Sequence, residues 1–161
     1  MAVGSAQAAS EGPKLGQPAN PQDIAAWRLT VFPDGKGLPT GAGTVDEGKL
    51  IYQQRCASCH GADGAGGSAN ELAGARHGLA DATPDKTIGS YWPYATTLFD
   101  FVRRAMPLDK PGSLDNNQTY AVCAYLLHLN GIVPANATLD AAALAAVKMP
   151  NRDGFTRIDA R

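Results

Sequence analysis

Residues 56–60 of the chain read Cys56-Ala57-Ser58-Cys59-His60. Two thiols separated by two residues, with an imidazole directly after the second, form the C-x-x-C-H spacing by which c-type haem is attached. Each thiol can add across one vinyl group of a porphyrin, and the adjacent imidazole then lies under the iron as its proximal ligand. This stretch therefore predicts one covalently bound haem c, attached through Cys56 and Cys59, with His60 on the iron.

Two other kinds of site also use paired cysteines. A zinc site needs two more ligands at a second paired spacing, and the remaining cysteine, Cys123, is isolated. A thioredoxin-type redox pair follows a strand and precedes a helix, whereas here a predicted helix precedes the pair and a Gly-rich loop over residues 61–78 follows it. For Cys123 itself, a buried small hydrophobe and a surface thiol able to dimerise are both open interpretations.

The composition excludes several classes of protein. The chain has 161 residues, which suits one domain with extensions. Its 14 Lys and Arg against 15 Asp and Glu provide no basic surface for phosphate backbones, so we expect no nucleic-acid binding. No run of about 18 apolar residues occurs, so no membrane span is predicted. Three cysteines are too few for a disulfide-stapled scaffold.

Changes in composition divide the chain into four segments. Residues 1–10 are small and polar, and we interpret them as a disordered terminus or the remainder of an export leader. Residues 11–43 contain five prolines and predict an extended N-terminal arm that packs against something, with one helical turn over 23–28. Residues 44–134 are predicted to form the haem domain, and residues 135–161 a C-terminal helix and tail.

Three helices are predicted in the haem domain, over residues 44–55, 94–105 and 115–130. The first begins with a capping box formed by Thr44 and Glu47. The second and third carry apolar residues at helical spacing and are stopped by Pro107 and Gly131. Asp115 or Ser113 is expected to cap the third. A further short helix is predicted over 138–148, and no strand is predicted.

A second axial ligand is expected on the face of the haem opposite His60. Met106 lies at the end of a predicted helix, and the proline after it turns the chain away so that the thioether can point inward. Met149 also precedes a proline and is the second candidate. His77 is the main nitrogen rival, whereas His128 is expected on a helix surface. The alternative for Met106 is an ordinary core methionine.

The segment over residues 44–131 resembles a class I cytochrome c. The resemblance rests on Gly48 and Tyr52, the attachment stretch, Leu72-Ala73-Gly74, Ala105-Met106-Pro107 and Ala124-Tyr125-Leu126. It implies an all-α fold of three to five helices around the haem, with Gly48 against Tyr125 where the first and last helices cross. The family often has a proline two residues before Leu72. Here this residue is Asn70, whose carbonyl is still expected to orient His60.

A narrower resemblance, to the cytochrome subunits of bacterial sulfite and sulfane dehydrogenases, extends over about residues 23–155. It rests on residues 24–27, 33–39, 91–100, 104–107, 120–133 and 150–152. It implies a periplasmic monohaem electron-transfer protein rather than an enzyme. The implied electron donor is a molybdenum-containing sulfite dehydrogenase subunit, and the implied acceptor is a soluble cytochrome c or an oxidase.

Two aromatic residues are expected to line the haem pocket. The rings of Trp92 and Tyr94 can face the porphyrin while their N–H or O–H meets a propionate, although core packing is the alternative for both. A different class of function also stays open. A haem with a weak or displaceable sixth ligand would make the chain a haem sensor or a peroxidase-like enzyme.

Overall fold

The computed structural model describes residues 16–156 of the chain. Within these residues lie seven helices and one two-stranded sheet, in the order α1 (Pro21–Trp27), β1 (Ala42–Thr44), α2 (Val45–Arg55), α3 (Ala57–His60), α4 (Ile88–Tyr91), α5 (Ala95–Ala105), α6 (Asn116–Leu129), β2 (Thr138–Asp140) and α7 (Ala141–Ala146). The predicted all-α fold is confirmed, apart from the short sheet. The predicted terminus over residues 1–10 and the last five residues of the tail lie outside the described range.

Helix α2 begins where its capping box predicts. The Thr44 side chain accepts a hydrogen bond from the backbone N–H of Glu47 at 3.2 Å, and the Glu47 carboxylate accepts from the Thr44 N–H at 2.8 Å. These bonds satisfy two donors that a helix start would otherwise leave unpaired. They fix the start of the helix that leads directly into Cys56.

The crossing of α2 and α6 forms the centre of the fold. A Cβ atom at Gly48 would overlap the carbonyl oxygen of Ala121 and lie 2.9 Å from Tyr125 Cβ. The fully buried Tyr52 packs against Tyr125 with ring centroids 5.2 Å apart. The predicted contact between Gly48 and Tyr125 is therefore confirmed, and it requires a residue without a side chain.

Helix α6 has the start and the end that the sequence predicts. Of the two proposed caps, Asp115 is the one used, since its side chain accepts from the Gln118 N–H at 2.8 Å. Gly131 has φ +68° just after the helix, a conformation that favours glycine. Helix α5 lies beside α6, and the buried Phe99 packs on Tyr120 at 4.5 Å between ring centroids.

The described part of the arm packs on α5 and α6, whereas the sequence predicts only that it packs against something. Val31 is buried, and its N–H donates to Asp100 Oδ1 at 2.9 Å. Further along, Thr96 Oγ1 donates to the carbonyl of Pro33, and the hydroxyl of the buried Tyr120 donates to another arm carbonyl. The helical turn predicted over 23–28 is α1.

The prediction of no strand is wrong at two places. Strands β1 and β2 pair antiparallel, with Ala42 opposite Asp140 and Thr44 opposite Thr138. Each has three residues, too few to show an alternating pattern, and their pairing depends on a fold that brings distant segments together. Because β2 occupies the start of the region predicted as helix 138–148, α7 is shorter than predicted.

The C-terminal tail returns to the segment before α5. Asn151 Nδ2 donates to the Tyr91 carbonyl at 2.7 Å, and the guanidinium of Arg152 lies 5.3 Å from the centre of the Tyr94 ring. Met149, at the start of this tail, is buried in the core. Separately, none of the helices in the described range has the length and apolar character needed to cross a membrane.

Candidate functional site

A cavity of about 680 Å³ lies between α2, α3, the loop after α3, α5 and α6. This volume is within the range of small-molecule and cofactor sites. Its apolar walls include Leu72, Ile88, Leu98, Val102, Val122 and Leu126. Such walls suit a large apolar group and exclude water from it.

One wall of the cavity carries the attachment stretch. Helix α2 ends at Arg55, and α3 is a single turn in which the N–H groups of Cys59 and His60 both donate to the carbonyl of Cys56, at 3.1 and 3.0 Å. The turn brings both cysteines and His60 into the cavity lining. Gly61, with φ +82°, then ends the turn in a conformation that favours glycine.

The two cysteines of this wall are not joined to each other. Cys56 is half-buried and Cys59 is exposed. Burial raises the pKa of the Cys56 thiol to about 11. A dithiol redox centre instead depends on a lowered thiol pKa, so this environment disfavours the thioredoxin-type interpretation.

His60 is held in one orientation by the loop that follows it. Its Nδ1 lies 2.8 Å from the carbonyl oxygen of Asn70. Because a carbonyl oxygen can only accept, Nδ1 carries the hydrogen and Nε2 keeps the lone pair that a metal ion needs. The predicted role of the Asn70 carbonyl in orienting His60 is confirmed.

A thioether reaches the cavity from a different element. Met106 follows the last residue of α5 with an extended backbone, and its N–H donates to the Val102 carbonyl at 3.1 Å. It lines the cavity together with Cys56, Cys59 and His60. The cavity therefore contains an imidazole nitrogen and a thioether sulfur supplied by separate parts of the chain.

The two other candidates for the second axial position, Met149 and His77, lie outside the cavity lining, and so does His128. Met149 is buried elsewhere in the core. His77 pairs with Asp85 in the long loop, with 3.3 Å between Nδ1 and Oδ2. His128 Nδ1 is bonded to the carbonyl of Val133 at 3.1 Å, so this histidine is half-buried rather than on the open helix surface that the sequence suggests.

Only one of the two aromatic candidates lines the cavity. Trp92 lines the cavity and packs edge-to-face on Phe101, with ring centroids 5.8 Å apart. Tyr94 is absent from the cavity lining in the described part of the chain, because its ring is turned toward Arg152 of the tail. Trp92 therefore lies at the predicted pocket position, whereas a place for Tyr94 beside the haem stays a prediction.

Sequence reasoning missed an exposed apolar edge at the same cavity. Phe101 and Leu108 both line it, and they are 44% and 79% exposed to solvent. Phe101 appears in the sequence only as part of the helical stripe of α5. Leu108 follows the Met106-Pro107 pair, and this position is the one feature of the sequence that could have placed it at the cavity.

The side chains that line the cavity indicate which metal or cofactor it can hold. Among the residues that the structure describes, no three His, Cys, Asp or Glu side chains come together as a metal cluster, so the zinc interpretation has no ligand set there. Two thiols one helical turn apart, an imidazole with a free Nε2, a thioether and apolar walls together suit a covalently bound haem. The chemistry of this chain fits that group.

Comparisons with known proteins point the same way. Residues 45–130 match the family model described as cytochrome c. A chain in the crystal structure of the sulfane dehydrogenase SoxCD from Paracoccus pantotrophus is 43% identical, with a TM-score of 0.85 over 91% of this chain and 72% of that one. The match extends beyond the haem domain into the arm or tail that the sequence analysis singled out.

Two curated relatives are more distant. The thiosulfate dehydrogenases of Stutzerimonas stutzeri and Psychrobacter arcticus are 30% and 28% identical over 62% and 68% of this chain. The chain spans about a third of the length of each, 35% in both cases. Since the family match covers the attachment turn, the crossing of α2 and α6 and Met106, the chain belongs to the cytochrome c family and carries covalently bound haem c.

Proposed function

We propose that the chain is a periplasmic monohaem electron carrier in which Cys56 and Cys59 hold the haem and His60 and Met106 are its axial ligands. The observation that carries this proposal is the single cavity lined by these four residues. The haem supplies a one-electron couple between ferric and ferrous iron.

The residues around the cavity explain why electron transfer fits better than catalysis. With an imidazole and a thioether both on the iron, no coordination position is open to a substrate. A thioether in place of a second imidazole favours the ferrous state and raises the reduction potential. Met106 therefore favours an electron carrier over the sensor or peroxidase-like alternative.

The proposed electron donor is the molybdenum-containing catalytic subunit of a sulfite or sulfane dehydrogenase. Support comes from the 43% identity to a chain of the sulfane dehydrogenase SoxCD over 91% of this chain. A soluble cytochrome c or an oxidase is the proposed acceptor. The periplasmic location is proposed because the relatives named here are sulfur dehydrogenases and the chain resembles their exported cytochrome subunits.

The exposed edge formed by Phe101 and Leu108 is the proposed contact for these redox partners. Apolar residues at the mouth of the cavity allow a partner to approach without stripping water from charges. Encounters between redox proteins use small interfaces, below about 1,200 Å² in total, so one well-placed apolar edge can account for much of the contact.

The test is a rapid-mixing experiment with the oxidised protein, the cognate molybdenum dehydrogenase and sulfite, at low salt. We expect fast reduction of the haem in the complete mixture and none with sulfite alone. Leu108→Asp should slow this reduction about tenfold, because a charge at the edge must be desolvated on docking. The matched control is Leu79→Asp, at an exposed leucine outside the cavity lining.

Two results would contradict these proposals, one for the redox partner and one for the docking edge. One is that neither a sulfite nor a sulfane dehydrogenase reduces the haem with its own substrate present. The other is an equal rate for Leu108→Asp and the unchanged protein, which would remove the proposed docking edge.

A further inference from the structure

The side-chain amide of Asn130 joins three parts of the chain. Its Nδ2 donates to the carbonyl oxygens of Leu126 and Leu72, at 2.8 and 3.1 Å. Its Oδ1 accepts from the N–H of Gly89 at 3.0 Å. The residue directly after α6 therefore fixes both the loop that precedes α4 and α4 itself.

The loop that Asn130 holds is the one that orients His60. The carbonyl of Asn70 accepts from His60 Nδ1, and two residues later the carbonyl of Leu72 accepts from Asn130. The Leu72 carbonyl also accepts from the Ile88 N–H at 3.1 Å, which ties the loop to the start of α4. The Asn130 side chain, just after α6, thus bonds the loop two residues beyond the carbonyl that accepts from His60.

Backbone hydrogen bonds also hold this loop. The N–H of Ala69 donates to the Cys59 carbonyl at 2.9 Å, and the N–H of Leu72 donates to the Gly64 carbonyl at 2.7 Å. Asn130 adds a side-chain bond to the Leu72 carbonyl, so replacing Asn130 can loosen the loop without changing the loop sequence.

Close packing shows that the amide fits its site. A Cβ atom at Gly89 would lie 2.7 Å from Asn130 Oδ1, so the glycine is what lets the amide approach the α4 backbone. The single carboxamide of Asn130 satisfies the Gly89 N–H and the carbonyls of Leu72 and Leu126. A carboxylate at this position could accept from Gly89 but could not donate to the two carbonyls.

We propose that Asn130 is a positioning residue for His60, which holds the Asn70 carbonyl against Nδ1 and so sets how strongly the imidazole donates to the haem iron. This inference rests on the proposed axial role of His60. When the ring nitrogen that does not bind the metal donates its N–H to an acceptor, the basicity of the metal-bound imidazole rises. Loosening the loop should weaken that bond, disfavour the ferric state and raise the reduction potential.

The test compares reduction potentials, measured by spectroelectrochemical titration of the haem-loaded protein, for Asn130→Asp and Asn130→Ala. Both variants should show a higher potential at pH 7, seen as a several-fold lower ratio of oxidised to reduced protein at a fixed applied potential. At acidic pH the neutral carboxyl of Asn130→Asp regains one donor. Its potential should then move back toward that of the unchanged protein at the same pH.

Asn117→Ala is the matched control, because Asn117 is also an amide of the α6 region but accepts from the Ala42 N–H at 3.0 Å, at the opposite end of the helix. It should lower stability without changing the potential. Asn130 variants that unfold earlier yet keep the unchanged potential would overturn the proposal and leave Asn130 as a cap of α6.

A second measurement applies if Asn130→Ala does not fold. Hydrogen exchange of the His60 ring N–H, followed by NMR in the reduced protein, should be faster in Asn130→Asp than in the unchanged protein, and an equal rate would again overturn the proposal. The spectrum of the unchanged protein is read first. If that spectrum shows no histidine ligand, the proposed function itself is refuted. If it shows the ligand and the variants behave like the unchanged protein, only the role of Asn130 is refuted.

Discussion

At the scale of single residues, the site depends on side chains whose chemistry cannot be exchanged. Cys56, Cys59 and His60 were identified from sequence because their order is a chemical requirement of haem attachment. The preference for Met106 over Met149 was also readable, from its place at the end of a helix. The position of Tyr94 was not, because it depends on Arg152 in a tail that returns from the far end of the chain.

Removing the cysteines provides a test at this scale. Cys56→Ala combined with Cys59→Ala should abolish covalent attachment, since no thioether bond can form. Haem staining after denaturing gel electrophoresis measures the result directly. Cys123→Ala is the control and should keep its stain, because Cys123 is fully buried in the core. A stained double variant would contradict the proposed attachment.

At the scale of elements, the long helices and the short α1 were predictable, whereas the four-residue helices and the strands were not. The capping boxes of α2 and α6 mark their starts locally, through side chains three residues apart. Helices α3 and α4 have four residues each, too short for a periodic pattern, and the β1–β2 pair depends on long-range contact. Asn130 was missed for the same reason, since its hydrogen-bond partners Leu72 and Gly89 lie far away in sequence.

The crossing of α2 and α6 gives a second prediction. Gly48→Ala should lower the free energy of unfolding by about 3 kcal/mol, because the new methyl group overlaps the Ala121 carbonyl and the helices must separate. Gly78→Ala is the control, with 3.7 Å to the nearest atom, and should change stability little. Denaturant unfolding of the haem-loaded protein measures both, and equal stabilities would contradict the close approach.

At the scale of the whole molecule, the described arm and tail both pack on the haem domain. The arm is anchored to the buried side of α5 through Asp100, which accepts from Val31 and pairs with Arg104. The sequence predicted that the arm packs against something, from its apolar residues among the prolines. Which helices it packs on could not be read, because the contacts join segments distant in the chain.

The arm contact gives a third prediction. Asp100→Ala should lower the free energy of unfolding by about 2 kcal/mol and expose the arm to limited proteolysis, because a bond to a charged acceptor is lost. Arg104→Gln keeps the bond between Asp100 and Val31. It should therefore lower the free energy of unfolding by less and leave the arm protected from the protease. Equal protease resistance of Asp100→Ala and the unchanged protein would show that this bond does not hold the arm.

Met106, together with His60, is proposed to complete the coordination of the haem. The most direct measurement is the weak red charge-transfer band that methionine ligation gives to oxidised haem, recorded for Met106→Ala and Met149→Ala. We predict that Met106→Ala loses the band. Met149→Ala should keep it, although the loss of a buried side chain lowers its stability by about 2–5 kcal/mol. An intact band in Met106→Ala would contradict Met106 as the axial ligand.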